Sequence, residues 1–266
     1  MRSVPRSFIV GAMAVTVVFP IIILFGWATA GSWRYPDVFP SSTDIGRLVD
    51  YFTQPSIMDA MVNSVELSLL VTLGSLVLGY LPAKVLGTME FRGKTLLRMV
   101  VLLPALTPGI CVVFGMIPVF IEIGIYRSYI SIVLGQITFC LPYMILTLSS
   151  VFENFDENYE RQSATLGVDK VSTFVHVTLP RIRSGLIVGC MYTFMVSWSM
   201  YLLTYELSPN TLETVITMIM PMLTSSTVTY YTLALTAIVF FAPSLLFLVV
   251  SSFIIRSDNI NSGGGT

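Results

Sequence analysis

The sequence predicts an all-α membrane protein with six transmembrane helices and a cytoplasmic helix-turn-helix loop between the fourth and fifth. Three observations predict it. Of the 266 residues 55% are apolar and 11% charged, with a mean hydropathy of +0.82, which leaves too little polar surface to clothe a soluble globule of this length. Six apolar stretches each approach the roughly 20 residues needed to cross a hydrocarbon core about 30 Å thick. The basic residues, finally, fall mostly on one side of the topology those stretches define.

The first span, residues 8–30, follows Arg2 and Arg6 and ends in Ala28-Thr29-Ala30, which resembles a signal-peptidase site. It is longer than a typical signal h-region of about 7–15 residues, so it reads as a retained helix. Segment 31–56 carries Trp33 and Tyr35, aromatic residues suited to the membrane interface, then a polar stretch, 41–52, that fits a short helix on the bilayer surface. The second, third and fourth spans are 57–83, 97–121 and 129–151; the fifth and sixth are 185–205 and 228–255, separated by a loop rich in Thr, Ser and Pro. In lipid each segment must satisfy its own backbone, so all six are helices. Pro20, Pro82, Pro104, Pro108, Pro118, Pro142 and Pro243 are expected to kink or locally break them. Residues 1–256 form one transmembrane domain, and the tail 257–266, with three consecutive glycines, is expected to be disordered.

With a cytoplasmic N-terminus, the inside segments hold Arg2, Arg6, Lys84, Arg92, Lys94, Arg98, Arg161, Lys170, Arg181, Arg183 and Arg256, which is 11 of the 14 basic residues. Arg34, Arg47 and Arg127 are left outside. Positive-inside insertion demands this asymmetry; it puts both termini and loop 152–183 in the cytoplasm.

Several chemistries are disfavoured. A net charge of -1 offers no basic field for a nucleic-acid backbone. Cys111, Cys140 and Cys190 are odd in number and lie in apolar stretches, which suits packing rather than a disulfide framework or metal cluster. His176 has no companion ligands in sequence, and no Gly-x-Ser-x-Gly or in-span histidine exists to assemble a hydrolase. Gly93-Lys94-Thr95 has the end of a phosphate-binding loop, but Thr88 stands where that loop needs its first glycine. No cofactor or metal is implied, and the fourteen methionines read as gap-filling or lipid-facing residues.

Polar chemistry is densest between the fourth and fifth spans. Residues 157–166 are good helix formers, and Gly167 supplies the left-handed conformation that commonly ends a helix. Asp169 is placed to cap a second short helix in which Val171, Phe174, Val175 and Thr178 recur at i, i+3, i+4 and i+7 as one largely apolar face. Pro180 is expected to stop it, with Leu179 extended. Such a helix–turn–helix suits a groove on another protein; an amphipathic loop lying on lipid or on its own helix ends has the same spacing.

Ala164-Thr165-Leu166-Gly167, followed after nine residues by Val177-Thr178-Leu179-Pro180, resembles the cytoplasmic loop of permease subunits of binding-protein-dependent ABC importers. That family's pattern is Glu-Ala-Ala, three residues, Gly, nine residues, Ile-x-Leu-Pro. Arg161, Gln162 and Ser163 stand where the family has Glu-Ala-Ala, with Glu160 one position out of register. Asn63-Ser64, Leu103-Pro104 and Pro108-Gly109 extend the resemblance, and Trp33-Arg34-Tyr35-Pro36 is most similar to the polyamine, thiamine, ferric-ion and aminophosphonate group. The resemblance implies a bacterial inner-membrane importer subunit that hydrolyses no ATP itself. Its partners would be a cytoplasmic ATPase dimer, a second and related permease and an external solute-binding protein. It implies coupling through Ala164, Leu166, Gly167, Val177, Leu179 and Pro180, to which the loop reading adds Asp169 and Phe174. A six-helix secondary transporter or channel without an ATPase is the alternative.

Ionisable residues within spans usually face an interior or an aqueous path. Glu66 inside the second span, and Asp59, Glu122 and Glu206 near outer ends, are such residues. Glu66 fits a path for a cationic solute or a hydrogen bond between helices. Gln136, Thr138, Ser197, Ser199 and Tyr201 are further candidates for the path.

Overall fold

The computed structural model describes residues 6–32, 37, 40–209, 212–224, 232, 234–241, 243, 245, 249 and 252. The interface residues Trp33 and Tyr35, most of the sixth span and the tail 257–266 lie outside them.

The helices are α1 (Arg6–Ala28), α2 (Ile45–Phe52), α3 (Pro55–Thr88), α4 (Lys94–Leu106), α5 (Gly109–Glu122), α6 (Tyr129–Phe152), α7 (Asn158–Thr165), α8 (Lys170–Thr173), α9 (Leu179–Trp198), α10 (Tyr201–Leu207) and α11 (Val215–Thr224). Residues 234–241 are also helical. The one departure from an all-helical chain among the described residues is a small antiparallel pair, β1 (Ala30–Ser32) and β2 (Ser42–Thr43), with Ala30 opposite Thr43. It gives the backbone that connects α1 to α2 the partners it lacks once α1 ends.

α3 and α6 are each long and apolar enough to cross a membrane. At 34 residues and 1.5 Å per residue, α3 is about 51 Å long and outruns the hydrocarbon core. Two expected spans are bent pairs instead of single rods: α4 and α5 meet at 93°, and the helix that ends at Trp198 meets α10 at 58°. Pro108 explains the first break. It holds Thr107 extended, with ψ 139°, and is itself extended at ψ 126°. Pro20, Pro82, Pro104, Pro118 and Pro142 stay inside continuous helices.

The chain divides into two compact units, Met1–Val62 with Glu213–Leu245 and Asn63–Leu212 with Leu246–Thr266. In the first, Ala28, Tyr51, Ile57, Ala234 and Leu235 form a buried cluster, and the Tyr51 hydroxyl lies 2.9 Å from Thr236 Oγ1. α2 therefore does more than rest on a surface, because Tyr51 anchors it while Ile45 and Val49 stay exposed.

In the second unit α6 is the central element, packed most extensively on α9. One cluster joins Leu67 and Val71 of α3, Val113 and Phe120 of α5, and Leu203 and Leu207 of α10 to the first half of α6. The other joins Ala83 and Leu86 of α3 and Ile182 of α9 to Met144, Leu148 and Phe152. Glycines set the approach. A Cβ on Gly185 would sit 2.0 Å from Val151 Cγ2, and one on Gly87 would sit 2.3 Å from Phe152 Cβ and 2.7 Å from the Ser149 carbonyl oxygen. Close backbone packing of this kind supplies the dispersion that holds helices together where lipid removes the hydrophobic drive.

Candidate functional site

Loop 152–183 folds by local rules that the sequence states openly. α7 ends in a Schellman turn: the Val168 amide donates to the Ser163 carbonyl and the Gly167 amide to the Ala164 carbonyl, both at 3.1 Å. Gly167 sits at φ +76°, as the turn requires. The Asp169 carboxylate then caps α8, accepting from the Val171 and Ser172 amides at 3.1 and 3.0 Å.

The second half departs from expectation. α8 stops at Thr173, a π-helical turn covers Phe174–Thr178, and α9 begins at Leu179 and runs on through Trp198. Pro180 therefore starts a helix where it was expected to end one, and Leu179 is helical at φ -56°, ψ -45°, not extended. The wide turn provides the reason: the Leu179 amide reaches back five residues to the Phe174 carbonyl, so the chain enters α9 already helical and runs on through Pro180. The expected single apolar face is divided by the same turn. Phe174 packs edge-on against Tyr80 with centroids 5.5 Å apart and Thr178 is buried, whereas Val171 (72% exposed) and Val175 face outward.

With Leu166 (81% exposed) and Val168, these valines make an exposed apolar surface on the turn. Ala164 is exposed beside it; Val177 and Leu179 are half-buried. Behind the surface the loop is tied down. Ser163 Oγ and Thr173 Oγ1 meet at 2.8 Å in a buried contact, joining α7 to α8. The Arg181 guanidinium lies 3.8 Å from the Tyr159 ring centroid. Glu160 accepts from Lys84 Nζ of α3 at 2.9 and 2.6 Å and from Thr178 Oγ1 at 2.7 Å. Burial raises the Glu160 carboxyl, but the hydrogen bonds from Lys84 and Thr178 and the Lys84 charge outweigh it and hold it below the ordinary carboxylate range. Arg161 is exposed and, among the described residues, pairs with Glu157. An open cleft of ≈ 470 Å³ bordered by Tyr80, Lys84, Glu160, Ala164 and Phe174 lies alongside.

Of the candidate path residues, Gln136 and Ser197 meet each other. Gln136 is fully buried; its amide donates to Thr204 Oγ1 at 2.8 Å and its carbonyl accepts from Ser197. This network joins α6, α9 and α10 internally. Glu66 is exposed and accepts from the Tyr129 hydroxyl at 3.4 Å, while Tyr201 stacks on Tyr205 with centroids 5.4 Å apart. Among the described residues no three His, Cys, Asp or Glu side chains could hold a metal. Gly93 is the left-handed N-cap of α4 and Lys94 pairs with Glu90, so that stretch is a helix start. Sequence reading missed Lys84, Thr178 and Thr204 as partners, because each meets a residue far away in the chain.

Residues 75–257 match the binding-protein-dependent transport system inner membrane component family, and that match covers α6, the loop and the helices around it. The chain belongs to this family. The permease is 27% identical over 191 residues to the trehalose transport system permease protein SugB of Mycobacterium tuberculosis, covering 71% of this chain and 70% of that one. It is 25% identical over 146 residues to the spermidine/putrescine transport system permease protein PotC of Haemophilus influenzae, covering 55% and 57%. In fold it is similar to a chain of a crystal structure of a bacterial ABC transporter involved in the import of the acidic polysaccharide alginate, with a TM-score of 0.74, 14% identity, and 95% and 99% of the two chains covered.

Proposed function

We propose that the permease forms half of the translocation path of an ATP-driven importer and that loop 152–183 docks in a cleft of a cytoplasmic ATPase. The observation that carries this reading is the exposed apolar surface of Leu166, Val168, Val171 and Val175, presented by a turn that Gly167 and Asp169 fix and Glu160 ties to α3. A surface so apolar and so firmly held suits burial against a protein partner. The remaining coupling residues, Ala164, Phe174, Val177, Leu179 and Pro180, shape its edges and backing.

In this reading residues 1–256 are one six-helix domain of a bacterial inner membrane with both termini cytoplasmic, supported by the asymmetry of 11 of 14 basic residues. Two ATPases hydrolyse ATP, a second and different permease completes the path, and an external solute-binding protein delivers the solute. The solute is small and polar or cationic, such as a polyamine. Relatives named for trehalose and for spermidine/putrescine bracket that range, and exposed Glu66, beside Tyr129, supports a cation. Glu66 and Tyr201 are the better path candidates, since Gln136 and Ser197 use their polar atoms within the chain.

The test is gentle purification from native membranes with mass spectrometry of what accompanies the permease, repeated with Leu166→Asp. An ATPase that accompanies the wild type and is lost from the variant supports docking. Its absence from the wild type would refute docking and point to an ATPase-free carrier; its retention by Leu166→Asp would refute the apolar surface as the contact.

A further inference from the structure

We infer that Glu160, Lys84 and Thr178 form a positioning strut that makes the docking loop move as one body with α3. The inference rests on the docking reading above and names the residues that transmit the motion.

Three elements converge on one carboxylate. Glu160 belongs to α7, Lys84 to the last turns of α3, and Thr178 to the end of the π-helical turn. Lys84 Nζ reaches both carboxylate oxygens, and Thr178 Oγ1 donates to Oε1. The pair is about one-quarter exposed on each side, 26% and 24%, which shields it from solvent while leaving the charges partly hydrated. One turn of α3 earlier, Tyr80 meets Phe174, so the same helix holds the loop by an apolar contact as well as an ionic one.

The arrangement matters because of what lies between. A π-helical turn is a rare local departure from the α-helices beside it, and in this reading it is where a push on α7 and α8 would be absorbed before reaching α9. Glu160 spans that weak point, since it grips Thr178 at the turn's far end and Lys84 outside the loop altogether. A displacement of α7 must then pull α3 with it. Arg161, whose side chain is 73% exposed, stands where the resembling loops carry glutamate and pairs with Glu157, whereas the acid of this permease, Glu160, works inward on Lys84 and Thr178, away from the docking surface.

The test uses the purified complex with its ATPase in lipid vesicles, with Cys111, Cys140 and Cys190 replaced and a single cysteine placed at exposed Val85 or Met89, at the end of α3 and just after it, beyond the apolar span. Maleimide labelling rates are compared with and without ATP plus vanadate. The wild-type background is expected to show an ATP-dependent rate at one or both positions. Measured at ATPase concentrations that saturate docking, Glu160→Gln and Lys84→Met should lose that dependence, and the double exchange Lys84→Glu with Glu160→Lys should restore it. Glu157→Gln, at the N-cap of the same helix but outside the strut, should behave as wild type. An unchanged ATP dependence in Glu160→Gln, no rescue by the double exchange, or no ATP-dependent change on α3 in the wild type would each overturn the strut. Loss of the ATPase itself from the wild-type preparation would instead overturn docking.

Discussion

Gly167→Ala isolates the contribution of backbone conformation to docking. Gly167 is at φ +76°, and a Cβ built there meets nothing within 4 Å, so steric collision with neighbours adds no term. What remains is the intrinsic cost of the left-handed region for an L-residue, about 1–2 kcal/mol. At 1.4 kcal/mol per tenfold, the population of loops holding the turn falls by roughly 5–30-fold. ATPase affinity should fall by a similar factor if docking selects that turn. A series sharpens the test: Asn, which tolerates the left-handed region, should lie close to glycine, Ala should be intermediate, and β-branched Val should be worst. The assay is titration of the purified ATPase against the permease in nanodiscs, with thermal stability of the membrane domain measured in parallel. Equal affinity for Gly and Val at this position, or Ala weaker than Val, would refute the conformational argument.

Three further outcomes are expected. Gly87→Ala should destabilise the packing of α3 on α6 by about 1–3 kcal/mol, because the new methyl meets the fixed Ser149 carbonyl as well as Phe152; a thermal-shift assay in detergent reads it, and an unchanged midpoint would contradict the close approach. Gln136→Leu should cost about 1–3 kcal/mol by stripping Ser197 and Thr204 of their buried partner, and adding Ser197→Ala with Thr204→Val should recover part of the loss in the same assay. The Glu160 carboxyl is held below its ordinary value, so its contribution is fully present above the unfolded-state pKa of about 4.3 and is lost as pH falls through the lower folded value. A spin label at Val171→Cys should therefore keep one mobility from pH 7 down to about 5 and loosen only below about 4.3, whereas Glu160→Gln should be loose throughout.

Local features of the loop were legible because short-range sterics decide them. A glycine after a run of helix formers, followed two residues later by aspartate, leaves the backbone few alternatives, and the left-handed turn at Gly167 and the cap at Asp169 appear as expected. The π-helical turn was not legible. Val171, Phe174, Val175 and Thr178 have the spacing of one α-helical face, yet of the four Thr178 alone is buried, held by Glu160, while Phe174 leans on Tyr80 and stays 36% exposed. Pro108 and Pro180 show the same limit. Both were expected to interrupt a helix; Pro108 does, because Thr107 before it is free to extend, while Pro180 opens α9 because the wide turn already supplies a helical start.

By itself, the sequence determined the solvent this chain requires, the uneven distribution of its charge along the chain and the turn that ends α7, since these follow from composition and from contacts between residues close in the chain. Only the tertiary structure decided that Glu160 finds Lys84, 76 residues away, that Gln136 is enclosed by Ser197 and Thr204, and that Gly87 and Gly185 admit α6. The physical reason is rotational. A helix apolar on all sides carries no stripe that says which face turns toward which neighbour, so its register is set by which side chains fit when whole helices pack.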